Sequence, residues 1–181
     1  MQPVESTQSL VAFVDHITTV LTIEDLRVIS KALFDIGLPV GWPLSEQPGF
    51  STAGIRLGNL NLELCAVDRQ QNPLDDWLTF EPTNLESLER ELVARGIAHD
   101  PFDAVVIQGN PIYTRVGLPE LSVGKTAFQL CHTFYPTRTS GPIAPKNSAG
   151  IQTVTEVIVG MDAAHQQTLH HLLVPKIWTE S

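Results

Sequence analysis

The segments DLRVISKALFDIGL (residues 25–38) and NLESLERELVARGI (residues 84–97) are two copies of one pattern. Each begins with a polar residue, has apolar residues one, four and eight positions later, and has glycine twelve positions later. A capping side chain, an apolar stripe and a terminal glycine are typical of an amphipathic helix. A repeat of this kind predicts two similar halves that face each other, with a functional site between them.

Strand-like segments surround each predicted helix. A β-rich run over 11–21 precedes the first helix and a shorter one over 76–81 precedes the second, and three strands are predicted after each. The last strands repeat each other as well, since Glu63-Leu64-Cys65 returns as Gln129-Leu130-Cys131. The order is therefore β-α-β-β-β twice, an α+β domain over 11–135 with modules at about 11–68 and 76–135.

The remaining segments flank this domain. Residues 1–10 are predicted to be an N-terminal leader, and the Pro- and Gly-containing stretch 136–150 a linker. Residues 151–181 resemble the strand and helix of a third module, because Val154-Thr155-Glu156-Val157 aligns with Val14-Asp15-His16-Ile17. A strand and helix alone cannot close a sheet, so this segment is either a tail that packs on another surface, such as that of a partner, or part of a longer protein.

Composition excludes some partners. The chain has 181 residues, 43% of them hydrophobic, and its 11 Lys and Arg against 20 Asp and Glu give a net charge of -9. This charge repels phosphate backbones, so no nucleic acid is expected, and a neutral or cationic ligand suits it better. The sequence has no apolar run near the ~20 residues of a membrane span and no secretory signal pattern, which predicts a cytoplasmic protein without a membrane partner.

The two cysteines, Cys65 and Cys131, lie in apolar strand-like runs and form neither a closely spaced metal pair nor a redox pair. Small buried core residues are the main interpretation. Their matched places in the two repeats keep a nucleophile role open as a minor alternative.

The duplicated order of strand, helix, glycine and three strands resembles the vicinal oxygen chelate superfamily, the group of glyoxalases, bleomycin resistance proteins and extradiol dioxygenases. Asp15-His16-Ile17 and Leu62-Glu63-Leu64 carry the resemblance through their places in the repeat. It covers about residues 12–135 and, more loosely, 151–174. It implies that the paired βαβββ modules form a cup-shaped, mostly antiparallel sheet with helices on the outside.

The resemblance also implies where a divalent metal such as Zn, Ni or Mn would bind. In that family the ligands come from the first and last strands of each module, which here gives His16, Glu63, Trp77 and Gln129. An indole has no lone pair for a metal, and an amide oxygen is a weak ligand. A catalytic metal site needs about three good protein ligands, and His16, Glu63 and the weak ligand Gln129 barely supply them, so the site is expected to be degenerate or empty. Dioxygenase chemistry is disfavoured more strongly, because its iron site needs two histidines and a carboxylate.

Alternation along the strands predicts the other residues that line the cup. They are Val14, Thr18, Asn61, Cys65, Thr79, Ala127 and Cys131. Of these, Thr18, Thr79, Cys65 and Cys131 are predicted to contact a ligand together with Trp77 and Gln129. Stacking of Trp77 on a flat or cationic ligand would contribute ~0.5–2 kcal/mol.

Three functions are compatible with this site. The leading hypothesis is a glyoxalase- or bleomycin-resistance-like protein that binds a small organic molecule in the cup, with acid-base help from His16 and Glu63. The second is a metal-dependent lyase or isomerase of the glyoxalase type, and the third is a non-catalytic assembly scaffold. The resemblance and the unfinished third unit predict a homodimer.

Overall fold

The computed structural model describes residues 8–67, 76–107, 109–134, 151 and 153–173. The predicted linker at 136–150 lies outside the described residues. The described chain forms eight strands and three α-helices: β1 (Val11–Val20), α1 (Ile23–Asp35), β2 (Val40–Gln47), β3 (Phe50–Leu57), β4 (Leu60–Val67), β5 (Asp76–Pro82), α2 (Leu85–Ala94), β6 (Asp103–Ile107), β7 (Asn110–Gly117), β8 (Thr126–Thr133) and α3 (Ala163–Leu173).

The eight strands form one curled sheet in the order β2-β3-β4-β1-β5-β8-β7-β6. Within each module the first strand pairs in parallel with the last, β1 with β4 and β5 with β8. The two modules join through the antiparallel pair β1–β5 at the centre of the sheet. The predicted α+β cup with a mostly antiparallel sheet is therefore confirmed, and both modules belong to the same chain.

The two repeated helices start differently but end alike. The Thr22 side chain accepts the N–H of Asp25 in the first turn of α1, and the Asn84 side chain accepts those of Glu86 and Ser87 in α2. Because its cap is Thr22, α1 begins earlier than the repeat predicts. After each helix a glycine takes a positive φ, 88° at Gly37 and 67° at Gly96. The next residue then donates its N–H back into the last turn, a standard C-terminal cap.

Two hydrophobic cores lie between the sheet and its helices. The first module has the smaller core, in which five buried residues (Leu26, Ala53, Ile55, Leu64 and Ala66) pack between α1 and strands β3 and β4. The second core is larger and includes Leu88, Leu92, Phe128 and Leu130. Leu26 and Leu33 of α1 and Leu88 and Leu92 of α2 therefore pack on their own modules as the periodicity predicts, whereas Ile29 of α1 is exposed.

The C-terminal segment packs on the second module. Residues 153–162 form no helix or strand, so the strand predicted at 154–159 is wrong, whereas the helix predicted after it is present as α3. Leu172 of α3 is fully buried in the second core, and its carbonyl accepts the N–H of Leu10. Residues 8–10 therefore pack against the domain, although the sequence assigned them to a leader.

A buried arginine holds this segment in place. The Arg95 guanidinium donates to the carbonyl of His171 and to the carbonyl of Gln8, so it joins the end of α2 to both terminal segments. On the other side, Asn59 in the β3–β4 turn exchanges hydrogen bonds with Val154. The segment thus runs from the turn of the first module to the core of the second.

Candidate functional site

The concave face of the sheet carries polar side chains, whereas the opposite face carries the two cores. Residues 62 and 64 of β4 and residues 53 and 55 of β3 pack against α1. Strand alternation therefore directs Asn61, Glu63 and Cys65 of β4 to the concave side. The same argument places Thr79 and Gln129 there, because their neighbours Leu78, Phe80, Phe128 and Leu130 belong to the second core.

A β-bulge orients His16 on this face. The pairing of β1 with β5 shifts register between Val14 and His16, so that Asp15 is an extra residue in β1. As a result, Asp15 Oδ2 lies 2.9 Å from His16 Nδ1, and both side chains are largely buried. Val14 packs against the second core, so its predicted place in the cup is wrong, because the bulge breaks the alternation on which that prediction depended.

Glu63 accepts a hydrogen bond at each carboxylate oxygen. Thr18 Oγ1 donates to Oε2 at 2.9 Å, and Thr52 Oγ1 donates to Oε1 at 2.8 Å. His16 Nε2 lies 3.8 Å from the same Oε2. The predicted meeting of His16 and Glu63 is present, and Asp15, His16 and Glu63 form a row in which the imidazole lies between two carboxylates.

Trp42 lies over the strand beside Glu63. A Cβ atom placed on Gly54 would fall 2.2–2.4 Å from Cδ2, Cε2 and Cε3 of Trp42, so the indole ring lies face-on against this glycine. Gly54 is directly in register with Glu63. The indole Nε1–H donates to Thr52 Oγ1 at 3.2 Å, which connects the ring to the Glu63 carboxylate through one hydroxyl.

The second module has the same backbone positions with other side chains. Gln129 is equivalent to Glu63, because Thr18 is in register with Glu63 and Thr79 with Gln129. Gln129 Nε2 donates to Thr79 Oγ1 at 2.8 Å. Gly117, in register with Gln129, is the counterpart of Gly54, and it is covered by the Asp100 carboxylate in place of an indole.

The surroundings of both cysteines favour the neutral thiol over the nucleophilic thiolate. Burial raises the pKa of Cys65 to about 12, and the nearby charge of Glu63 contributes to that rise. Burial also raises the pKa of Cys131 to about 11, although a hydrogen bond with Thr133 opposes the shift. Both thiols are buried, as the sequence interpretation of small core residues expects, and their contact with a ligand stays a prediction.

The other predicted residues take different places. Thr18 and Thr79 are completely buried and hold Glu63 and Gln129. Trp77 is half-buried and in register with Thr18, as the counterpart of His16 in the second module. Ala127 is in register with Trp77, and Asn61 is buried and accepts a hydrogen bond from Arg56.

The donors at this site can be compared with those of a metal centre. His16 and Glu63 are two suitable ligands, and the hydrogen bond between Nδ1 and Asp15 would orient the imidazole as in many metal centres. Trp77 has no lone pair to offer, and Gln129, whose amide nitrogen donates to Thr79, could offer only its amide oxygen, a weak ligand. Among the described residues, no group of three His, Cys, Asp or Glu side chains is arranged to hold a metal ion.

Three residues of this site carry no functional assignment from the sequence. Asp15 contacts His16 only because of the bulge, and neighbouring strand residues otherwise point to opposite faces. Thr52 and Trp42 reach Glu63 from β3 and β2. The only sequence signal for Trp42 is a glycine, Gly54, inside a strand, which marks a close approach of another group.

The sequence matches no protein-family profile and no curated protein. Solved structures do match. The methylmalonyl-CoA epimerase of Mycobacterium tuberculosis aligns with a TM-score of 0.55 and 16% identity over 75% of this chain and 94% of that one. A Streptomyces coelicolor methylmalonyl-CoA epimerase variant with 2-nitronate-propionyl-CoA aligns with a TM-score of 0.53 and 10% identity, over 69% of this chain and 99% of that one.

A hypothetical protein from Bacillus halodurans aligns with a TM-score of 0.51 and 16% identity, over 68% of this chain and 96% of that one. These neighbours are members of the vicinal oxygen chelate superfamily, so the resemblance seen in the sequence is confirmed as a shared fold. Identities of this size carry no information on substrate. No helix among the described residues has the length and apolar character of a membrane span.

Proposed function

We propose that this chain binds a small organic molecule on the concave face of its sheet, where His16 and Glu63 transfer a proton to or from the ligand. The observation that carries the proposal is the 3.8 Å separation between His16 Nε2 and Glu63 Oε2. This separation is too long for a hydrogen bond, so both atoms remain able to contact one ligand group between or above them.

The surroundings of His16 favour a role in proton transfer. With Nδ1–H donated to Asp15, the imidazole presents Nε2 to the cup, and the carboxylate stabilises the ring when it gains a proton. Glu63 is held in a fixed orientation by two threonine hydroxyls. Fixed donor and acceptor groups of this kind lower the cost of reorganisation during a reaction.

A metal-dependent lyase or isomerase is the second candidate. The bond between Asp15 and His16 favours it, because such a bond commonly orients a metal-ligating histidine. The incomplete donor set opposes it, and we derive no step through a metal. We also propose a homodimer. The C-terminal segment packs on its own chain, so it does not need a partner subunit to cover it.

The proposed function is tested by a binding screen read by two-dimensional NMR of the backbone and indole N–H groups. The panel contains neutral, cationic and anionic small molecules, with methylmalonyl-CoA included because two of the reported neighbours are epimerases of that compound. We expect a bound compound to shift the signals of Trp42 and of residues near Glu63. If no compound shifts them, the proposed function is wrong.

Metal analysis separates the two candidates. Purified protein is incubated with zinc, nickel or manganese, dialysed and assayed for bound metal, beside the variants His16→Ala and Glu63→Ala. Stoichiometric uptake that both variants abolish supports the metal-dependent enzyme. Binding of a small molecule without metal uptake supports our proposal, and failure of both assays leaves the scaffold hypothesis.

A further inference from the structure

We propose that Trp42 and Glu63 form a subsite for the cationic group of an organic ligand. This inference rests on the proposed function and names its ligand class. It depends on three observations: the direction of the hydrogen bonds around Glu63, the placement of the Trp42 ring, and the neutral residue at the equivalent position of the second module.

The hydrogen bonds fix Glu63 as an acceptor. An indole N–H only donates, so Thr52 Oγ1 must accept from Trp42 and has its own proton left for Glu63 Oε1. Thr18 Oγ1 donates to the other oxygen. A carboxyl group that accepts at both oxygens has the bonding pattern of the ionised form, which places a negative charge on the concave face.

The Trp42 side chain is half-buried, and one face of its ring lies against Gly54, where no side chain intervenes. Because Gly54 is in register with Glu63, the indole and the carboxylate are adjacent on the same side of the sheet. In the proposed subsite the opposite face of the ring contacts the ligand. An aromatic face next to a carboxylate attracts an ammonium group, and tryptophan gives the strongest such attraction among the aromatic residues.

The second module has different side chains at the positions equivalent to this subsite. The place of Glu63 is taken by the neutral Gln129, and the place of Thr52 by Arg115, which is in register with Cys131 as Thr52 is with Cys65. Arg115 is paired with Asp103 on the neighbouring strand. At these equivalent positions the second module therefore has an amide in place of the carboxylate, and the Asp100 carboxylate in place of the indole.

The test uses choline and its neutral isostere 3,3-dimethyl-1-butanol as probes. Each is titrated into the isotopically labelled full chain, and binding is followed by NMR from the backbone N–H signals of residues near Glu63. Where Trp42 is present, its indole N–H signal, assigned by its loss in Trp42→Leu, is followed as well. We expect choline to bind at least about tenfold more tightly than the alcohol. We expect Glu63→Gln and Trp42→Leu each to weaken choline binding by about tenfold, and Trp42→Phe to weaken it less.

Two matched control variants test whether the effect is specific to this subsite. Glu46→Gln deletes one negative charge from an exposed pair with Arg27 outside the cup, and we expect choline binding to be unchanged. Trp77→Leu removes the aromatic residue that the sequence favoured. Loss of binding in Trp77→Leu with retention in Trp42→Leu would overturn the proposal. The urea unfolding midpoint of each variant shows that it remains folded.

The outcomes separate this inference from the proposed function. Equal affinity for choline and the alcohol, or choline binding that survives both Glu63→Gln and Trp42→Leu, overturns the cationic subsite and leaves small-molecule binding intact. Failure of choline to bind, while a neutral or anionic compound binds the same face, has the same meaning. Failure of every compound in the panel overturns both proposals.

Discussion

The two modules of this protein share one arrangement of strands and helix but carry different side chains on the concave face of the sheet. In the first module the last strand carries Glu63, which is bonded to Thr18 and Thr52 beside the Trp42 ring. In the second module the same position carries Gln129, which is bonded to Thr79. The duplication therefore supplies the scaffold, and side-chain differences place a carboxylate beside an indole at these positions of the first module and a neutral amide at the matching position of the second.

The outer faces of the modules differ as well. Leu88 of α2 is 2% exposed within the second core, to which the C-terminal segment also contributes. Ile29 is its counterpart in the sequence repeat, yet it is 36% exposed on α1, where Ser30 is buried instead. The repeated sequence thus places the same kind of residue in a core position once and in a surface position once.

This difference predicts the largest effect on stability. We expect Leu88→Ala to lower the free energy of unfolding by about 2–5 kcal/mol, because it removes a buried side chain and leaves a cavity. Ile29→Ala should cost less than about 1 kcal/mol, because solvent already reaches that side chain. Urea denaturation followed by circular dichroism measures both, and equal losses would contradict the difference described between the two helices.

The hydroxyls of Thr18 and Thr79 should contribute unequally to the free energy of unfolding. Thr18→Val removes a donor to a carboxylate, whereas Thr79→Val removes a partner of a neutral amide. We expect losses of about 1.5–3 kcal/mol for the first and about 0.5–1.5 kcal/mol for the second, because bonds to charged groups are stronger. Chemical denaturation of both variants at neutral pH measures this difference. Similar losses in both would contradict the stronger hydrogen bond expected at Glu63.

The two matched glycines give a third contrast. Alanine at Gly54 would place a methyl group 2.2 Å from the Trp42 ring, and we expect a loss of about 1–3 kcal/mol together with displacement of the indole. Alanine at Gly117 would meet the end of the Asp100 side chain, which rotates away at a cost below about 1 kcal/mol. Thermal unfolding and the Trp42 NMR signal report both effects. An unchanged indole signal in Gly54→Ala would be evidence against the stacked ring.

The smallest effect concerns the thiols at high pH. The pKa of Cys65 rises from an ordinary value of 9.0 to about 12 in the folded protein. The stabilisation is complete below pH 9 and declines as the pH rises toward the folded pKa, because only the unfolded thiol then loses its proton. We expect a loss of about 1 kcal/mol between pH 9 and pH 10 from this thiol.

Unfolding by urea under reducing conditions at pH 8, 9 and 10 measures this slope. The variant Cys65→Ala should have a flatter slope than the natural chain. Cys131→Ala should flatten the slope in the same interval, since the pKa of Cys131 is also raised, to about 11. A slope that neither substitution alters would show that other groups control stability in this range.

Much of the fold follows from local patterns. The repeated helix, its final glycine and the strand alternation around Glu63 and Gln129 predict the modules and the side of the sheet on which these residues lie. The proximity of His16 and Glu63 was implied by the family resemblance and not by a local pattern, and the structure places the two side chains 3.8 Å apart. Periodicity and end signals of this kind act within a few residues, so a single sequence carries them.

The tertiary structure alone determined how these groups are held. The bulge that brings Asp15 to His16, the Trp42 ring over Gly54 and the bond from Thr52 to Glu63 each depend on the register between strands. Val157 and Leu172 pack on the second core although the predicted strand does not form. This packing depends on which apolar surface the rest of the domain leaves uncovered. The physical reason is that an extended segment becomes a strand only when a sheet edge supplies its hydrogen bonds, and the sequence does not encode which edges remain available.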